Sequence, residues 1–372
     1  MIATLLALPA LTAWLVLLFA RGGFWLAQEV DSLSPCAEPA LWPSVTAIVP
    51  ARDEADVIAR SIGSLIAQDY PGEFRVLLVD DNSSDGTGDI ARAAGADVLM
   101  GAPLNAGWTG KLWAVSQGIA AAGDAPTYLW LTDADIAHAP DTLRSLLARG
   151  EAGGLALVSL MAKLACTNWA ERAIIPAFVL FFQMLYPFRW VNRPTGIGAA
   201  AGGCVLVRRD ILAKAGGIAA MRGALIDDCT LGALIKPQGR IWLGLTDRSR
   251  SIRSYPDIRA IAAMISRSAY AQLGYNPLML LGTIMGLVLV FLAGPALALF
   301  GEGLARLAGV ATWALMTIAY QPMLRFYQRS PLWGLALPLV GVFCGGCTVL
   351  SAWQHWLGKG GMWKGRAQAT AS

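Results

Sequence analysis

Acidic residues follow two apolar, strand-like runs near the start of the chain. Asp53 and Glu54 come just after the run that ends near Pro50, and Asp80 and Asp81 end the next one. A carboxylate at the end of a strand can accept hydrogen bonds from a base or a ribose. Taken alone, each pair is equally typical of turn chemistry and helix capping.

A third acidic motif, Thr132-Asp133-Ala134-Asp135, places two carboxylates two positions apart after another apolar run. Like charges at this spacing repel, and a divalent cation would offset the repulsion. Mg²⁺ and Mn²⁺ prefer oxygen ligands and bind through one or two carboxylates together with substrate phosphates. The motif predicts that Asp133 and Asp135 hold Mg²⁺ or Mn²⁺. The nearby His138 is interpreted as a solvated or capping residue, because hard cations prefer oxygen.

Asp228 is the candidate general base, in a pair with Asp227 that opens a predicted helix. Acids there can also simply complement the helix dipole. The chain has only two histidines and neither has a suitable context, so a carboxylate is the natural proton acceptor. Lys111 follows a glycine turn and can meet a diphosphate, the alternative being a solvated lysine. Its spacing is not that of a P-loop.

These residues must be positioned by a sheet whose strands alternate with helices. Apolar runs typical of strands cover Val45–Val49, Arg75–Val79 and Tyr128–Leu131, and helical patterns follow at Ala55–Gln68, Gly86–Ala94 and Pro140–Arg149. Continuous apolar runs separated by helices predict an α/β fold with a doubly wound, mixed and mostly parallel sheet. In such sheets ligands bind beyond the carboxyl ends of the strands, where the acids lie.

The composition indicates a membrane protein, because 56% of the residues are hydrophobic and only 15% are charged. Ile2–Ala20 is long enough for an N-terminal transmembrane anchor. Three further spans are predicted at Leu278–Phe300, Leu307–Leu324 and Leu332–Trp353. Ile174–Phe188 is short for a span and predicts a monotopic or acceptor-facing helix, or else a buried core helix. We therefore divide the chain into an anchor (1–21), a catalytic domain (43–254), an interfacial helix region (255–276), a membrane region (277–357) and a tail (358–372).

The charges predict both orientation and partners. No charge precedes the first apolar run and Arg21 follows it, so the chain is expected to enter the cytoplasm there. This predicts a multi-pass protein of the inner membrane whose catalytic domain faces the cytoplasm. With 29 basic against 25 acidic residues, no nucleic-acid partner is expected.

The order of these motifs resembles that of inverting family-2 glycosyltransferases with the GT-A fold, over roughly Pro43 to Arg267. With its hydrophobic flanks the chain is similar to bacterial hopene-associated glycosyltransferases, and more distantly to ceramide glucosyltransferases. The resemblance implies transfer of one hexosyl or N-acetylhexosaminyl group from a nucleotide-diphosphate sugar, expected to be UDP-linked. The implied acceptor is a lipid alcohol, and a hopanoid is one candidate.

The resemblance also implies residue roles. The nucleotide donor would be contacted by Pro50, Asp53, Glu54, Asp80, Asp81, Lys111, Asp133 and Arg267. Asp133 and Asp135 would be the metal-binding DxD motif, with Asp228 as the base. One feature departs from the pattern: many membrane relatives carry (Q/R)xxRW before the first C-terminal span. Here Met264-Ile265-Ser266-Arg267-Ser268 keeps only the arginine, which weakens a processive interpretation.

Two alternatives come from other classes. A degenerate transferase could act as a membrane scaffold for a lipid-modifying complex, although every acid of the pattern is retained. A nucleotidyltransferase would also hold a nucleotide and a metal on an α/β sheet. Such enzymes commonly use a glycine-rich first loop, whereas Arg52 has no glycine beside it.

Overall fold

The computed structural model describes residues 2–358, 362–363 and 366–367. The chain divides into two compact units. The helical unit consists of Met1–Ala27, Cys166–Arg189 and Tyr255–Gly361, and the sheet unit consists of Gln28–Ala165, Trp190–Ser254 and Met362–Ser372.

An eight-stranded sheet organises the sheet unit. Its strands β1 to β8 are, in chain order, Val45–Ala51, Phe74–Asp80, Asp97–Met100, Tyr128–Leu131, Ile136–His138, Leu157–Lys163, Val205–Arg208 and Ile241–Ser251. Their spatial order is β3-β2-β1-β4-β7-β6-β8-β5. The first four strands in this order run parallel, as do β6 and β8, whereas β7 runs antiparallel to both its neighbours and β5 runs antiparallel to β8. The predicted mixed, mostly parallel sheet is confirmed.

In the sheet unit, helices follow the strands where the sequence pattern predicts them. The α-helices, α1 to α14 in chain order, are Ile2–Ala20, Ala55–Ile66, Thr87–Ala93, Gly110–Ala122, Thr142–Gly153, Trp169–Leu185, Phe188–Val191, Arg209–Lys214, Asp227–Ile235, Ile258–Ser266, Pro277–Leu287, Gly294–Phe300, Gly303–Phe326 and Leu337–Trp356.

Burial explains why these segments form a layered core. Every residue of β1 is buried, as expected for a strand covered on both faces. Ile58, Ile62 and Leu65 are fully buried on one face of α2, the helical spacing of an apolar stripe. On the other face, a Cβ at Gly118 of α4 would lie only 2.6 Å from Ile48 of β1. α4 therefore packs tightly against the central strand.

The described part of the chain holds four helical segments that are long and apolar enough to cross a membrane: Trp169–Val191, Pro277–Phe300, Gly303–Phe326 and Pro331–Trp356. The last three match the predicted spans. The first was predicted to be too short. The segment is longer because α6 begins earlier, at a capping box in which Asn168 and Glu171 satisfy each other's backbone N–H groups, and because α7 extends it to Val191.

Two predictions at the borders of the helical unit have different outcomes. α1 is helical as expected, but Leu6–Ala20, the part with described side chains, is shorter than the four candidate spans, so the anchor stays a prediction. α10 lies within the predicted interfacial helix region (255–276), so a helix is present there as expected. Its N-cap Asp257 accepts a hydrogen bond from the Ala260 N–H at 2.8 Å, and Ile261 and Ile265 are buried. Its place at the membrane surface is untested.

Candidate functional site

The parallel strands β1, β2 and β4 end at one edge of the sheet, where the predicted site residues meet. β1 pairs with β2 on one side and with β4 on the other. Pro50 lies at the end of β1, Asp80 ends β2, and Asp133 comes just after β4. β7 runs antiparallel to β4, with Leu131 opposite Val205. The turn that precedes β7 therefore lies beside Asp133.

A small cavity of about 40 Å³ opens at this edge. Among the residues that line it are four of the predicted ones, Pro50, Lys111, Asp133 and Asp228. Gly202 lies between two of them, because a Cβ there would be 3.2 Å from Asp228 Oδ2 and 3.7 Å from Asp133 Oδ2. The fold thus brings together acids that lie almost a hundred positions apart in the chain.

Lys111 bridges two of the carboxylates. Its Nζ lies 2.7 Å from Asp133 Oδ1 and 2.9 Å from Asp227 Oδ2. The side chain belongs to the first turn of α4, which is capped by the Thr109 hydroxyl. Burial lowers the pKa of Lys111, but the charges of Asp133 and Asp227 outweigh it and raise the pKa above its ordinary value. The lysine is therefore a permanent cation in the cavity and not a solvated side chain.

At Asp133 burial has a larger effect than the neighbouring charge. Burial raises the pKa of this carboxyl more than Lys111 lowers it. Asp135 and Asp227 add to the increase by like-charge repulsion. A carboxylate in this position gains from any added cation, since the cation would favour its ionised form.

Asp228 is held by two backbone groups. The Gly202 N–H donates to its Oδ2 at 2.6 Å, and the Cys229 N–H donates to its Oδ1 at 2.7 Å. Burial, and after it the charge of Asp227, raises the pKa of Asp228 to about 6. This carboxylate is oriented and is a better proton acceptor than an ordinary aspartate.

Arg253, which no sequence pattern singled out, joins two predicted site acids. Its guanidinium lies 2.9 Å from Asp135 Oδ2 and also pairs with Glu54. The Ile252 N–H donates to the Asp135 carbonyl at 2.9 Å, which fixes the same segment. The available signal was a basic residue just past the end of β8, but no spacing rule connects it with acids more than 100 positions upstream.

The other acids that were predicted to contact the nucleotide lie near Arg52 at the ends of β1 and β2. Asp81 is buried and lies 3.8 Å from the guanidinium, and Asp53 lies 3.9 Å from it. Asp53 has a left-handed backbone, with φ of 49°. Asp80 is buried beneath Gly88 and accepts a hydrogen bond from the Ser83 N–H at 2.8 Å. Asp80 therefore shapes the turn.

Two other predicted residues differ from the rest. Arg267 follows α10 in the helical unit, so its role at the donor stays a prediction. The interpretation of His138 as solvated or capping is wrong. The side chain is buried, and its ring nitrogens contact Thr132 and Ser249, because β5 is itself a strand of the sheet.

Part of the chain that carries these residues is similar to a known protein family. Residues 46–216 match the family described as glycosyl transferase family 2. This segment is a family-2 glycosyltransferase domain. The match includes Lys111, Asp133 and Asp135, whereas Asp228 and Arg253 lie beyond the matched residues.

Two proteins illustrate the likeness of this chain to known ones. A Rhizobium leguminosarum bv. viciae protein named N-acetylglucosaminyltransferase is 32% identical over a segment that covers 36% of this chain. The chain spans about a third (32%) of that relative's length. A mannosyltransferase from Pyrobaculum calidifontis, solved with GDP-Man and Mn²⁺, has 19% identity and a TM-score of 0.56, covering 94% of this chain and 99% of that one. This likeness confirms the predicted GT-A fold.

The family-2 domain offers oxygen donors suited to a hard cation. Within the part of the chain that the structure describes, no three Asp, Glu, His or Cys side chains cluster closely enough to form a complete metal site. A site of two carboxylates completed by substrate phosphates is how Mg²⁺ is commonly bound. Asp133 and Asp135 fit that donor set, and the ammonium of Lys111 already shows that positive charge is favoured beside Asp133.

Proposed function

We propose that this family-2 protein is an inverting, metal-dependent glycosyltransferase that moves one sugar from a nucleotide-diphosphate donor to a lipid alcohol. One observation carries the proposal. The oriented carboxylate of Asp228 and the Lys111–Asp133 pair line the same cavity at the carboxyl edge of the sheet. A base and a group that stabilises a leaving diphosphate are the two functions that transfer to a hydroxyl requires.

Asp228 serves the acceptor in the proposed reaction, and Lys111 with Asp133 and Asp135 serves the leaving group. The acceptor oxygen forms a bond to the anomeric carbon as the bond from that carbon to the diphosphate oxygen breaks. The acceptor proton passes to the Asp228 carboxylate, whose backbone hydrogen bonds from Gly202 and Cys229 keep it directed into the cavity. Attack opposite to the leaving group inverts the configuration.

The leaving nucleoside diphosphate carries the negative charge. When bound by Asp133 and Asp135, Mg²⁺ or Mn²⁺ would neutralise that charge as a Lewis acid. The ammonium of Lys111 can give up one of its carboxylate partners and pair with a phosphate oxygen of the donor instead. We assign the nucleotide itself to the carboxyl ends of β1 and β2. Asp53, Glu54 and Asp81 are the acids proposed to contact it. A role of Arg267 at the donor remains a prediction from the sequence resemblance.

The candidate membrane spans support the proposed class of acceptor. Four candidate spans accompany the domain, and an enzyme held in a bilayer suits an acceptor that never leaves it. We therefore propose a polycyclic or other lipid alcohol, with a hopanoid as the first candidate, handled at the cytoplasmic face of the inner membrane. The name of the Rhizobium relative makes N-acetylhexosamine the first sugar to test, with UDP as the nucleotide.

The test uses purified full-length protein in lipid nanodiscs with Mn²⁺ or Mg²⁺, a panel of nucleotide sugars and extracted bacterial lipids. Mass spectrometry of the lipids should reveal one new glycolipid, and nucleoside diphosphate should be released in equal amount. Asp228→Asn should abolish both products, while Asp89→Asn, which changes an exposed acid on α3, should leave them unchanged.

Other outcomes would contradict the proposal. Release of pyrophosphate would identify a nucleotidyltransferase. A lipid modification in cells that survives Asp228→Asn at the wild-type rate would favour a scaffold. No turnover with any donor, and no effect of Asp135→Ala, would refute metal-dependent transfer.

A further inference from the structure

We infer that His138 is a positioning residue of this site, which ties the segment carrying Asp133 to the turn that holds Asp228. The inference rests on the proposed function, since it assigns His138 a part in the same transfer reaction.

His138 lies in a buried polar network inside the sheet unit. Its Nε2 is 2.9 Å from the Thr132 hydroxyl, and its Nδ1 is 2.9 Å from the Ser249 hydroxyl. Exposure is 6% for His138, 3% for Thr132 and 0% for Ser249. The ring also packs on Trp130, with centroids 4.6 Å apart. Both ring nitrogens are thus used in a place where water cannot substitute for a lost partner.

The direction of each hydrogen bond follows from the partners. Thr132 lies 2.7 Å from the Gly203 carbonyl, which can only accept, so the single hydroxyl proton of Thr132 points there. The Thr132 oxygen must then accept from His138, which places the proton of the neutral ring on Nε2. Nδ1 consequently accepts from Ser249. Burial lowers the pKa of His138 to about 3, which agrees with a neutral ring.

The chain of contacts continues to the proposed base. Gly203 follows Gly202, whose N–H donates to Asp228 Oδ2 at 2.6 Å. Gly203 has φ of 92°, a left-handed conformation that suits glycine. Thr132 directly precedes Asp133. By donating to the Thr132 hydroxyl, the imidazole orients the Thr132–Gly203 hydrogen bond. Through that bond it helps to set the separation between Asp133, proposed to bind the metal, and Asp228, proposed to take the acceptor proton. An error of about 1 Å in such a separation can cost on the order of 100-fold in rate.

The kinetic test compares two substitutions at this position. His138→Phe keeps a ring against Trp130 but removes both hydrogen bonds, whereas His138→Gln can still donate to Thr132. We expect kcat for glycolipid formation to fall about 10- to 100-fold in His138→Phe, with the donor KM changed less than about threefold. His138→Gln should recover most of the loss. A merely structural role would not separate kcat from KM in this way.

A spectroscopic readout does not depend on turnover. The chain has only two histidines, His138 and His355, so ¹⁵N-histidine spectra of the protein in nanodiscs are assigned with His355→Gln. One ring should show a fixed Nε2–H tautomer that stays neutral from pH 8 to pH 5. Thr132→Val, which removes the acceptor, should abolish that fixed tautomer.

The outcomes separate this inference from the proposed function. If wild-type protein transfers no sugar, the proposed function fails, and the ¹⁵N spectra alone decide the placement of His138. If wild-type protein is active and a folded His138→Phe variant has an unchanged kcat, the positioning role is overturned. An Nδ1–H or charged ring at pH 7 overturns it as well. Should His138→Phe fail to fold, Ser249→Ala takes its place, and an unchanged kcat there has the same meaning.

Discussion

The ammonium of Lys111 lies 2.7 Å from Oδ1 of Asp133, the first of the two acids predicted to bind the metal. Asp135, the second carboxylate, is paired in the same way with Arg253. Each acid proposed to bind the metal is therefore neutralised by a basic side chain of the protein itself. The two pairs lead to different predictions, because Lys111 competes with a metal for Asp133, whereas Arg253 holds Asp135 in one orientation.

Lys111→Met should strengthen Mn²⁺ binding but lower the rate of transfer. Without the ammonium, Asp133 and Asp227 attract Mn²⁺ more strongly, so Mn²⁺ alone should bind several-fold more tightly in calorimetry. The kcat should nevertheless fall on the order of 100-fold, because the departing diphosphate loses a fixed cation. Lys214→Met, at an exposed lysine on α8, is the matched control and should change neither value. Weaker Mn²⁺ binding in Lys111→Met would contradict the competition.

Arg253→Lys should weaken metal activation. A lysine keeps the charge but cannot bridge Asp135 and Glu54 with a planar fork. The Mn²⁺ concentration needed for half-maximal activity should rise about tenfold, because Asp135 is no longer held in one orientation. Arg250→Lys provides the control, since that arginine is exposed and pairs only with the exposed Asp247 among the contacts described. Equal metal activation in the two variants would remove Arg253 from the site.

The rate should depend on pH through Asp228. A general base must be ionised, and burial together with Asp227 holds the pKa of this carboxyl at about 6. Below pH 6 we expect kcat/KM to fall about tenfold per pH unit, and above it to level off. Asp227→Asn removes one cause of the raised pKa, so the fall should move to lower pH. A profile that is flat from pH 7 down to pH 4.5 would exclude Asp228 as the base.

Gly232→Ala should destabilise the sheet unit. A Cβ on this residue of α9 would lie 2.6 Å from the backbone nitrogen of Ala200, and backbone cannot move aside as a flexible side chain can. We expect a loss of about 1–3 kcal/mol in the free energy of unfolding. Gly63→Ala on α2 is the matched control, because an added methyl group meets open space among the described residues. It should be neutral or stabilise by up to about 1 kcal/mol.

Thermal unfolding in nanodiscs measures both glycine variants. Because α9 carries Asp228, a shift of this helix in the Gly232→Ala variant should also lower activity. A larger shift should lower it more. A higher melting temperature for Gly232→Ala than for Gly63→Ala would show that α9 does not pack as closely as described.

The sequence by itself determined the alternation of strands and helices and the placement of acids at the strand ends. Apolar runs such as Val45–Val49 are local patterns, and the residues after them must lie at the sheet edge wherever the strands pair. The DxD motif and the Asp227–Asp228 pair are local for the same reason. Three of the four candidate spans were also readable, because length and hydropathy are properties of a single segment.

Tertiary structure alone decided which distant residues meet. Strand order places the turn at Gly202 beside Asp133, and only then does a backbone N–H reach Asp228. Arg253 joins Asp135 and Glu54 because β8 ends at the same edge. His138 was misread since its burial depends on β8, its partner strand, more than 100 positions away. Long-range strand pairing fixes these contacts, and it leaves no periodic pattern in the sequence around any one of them.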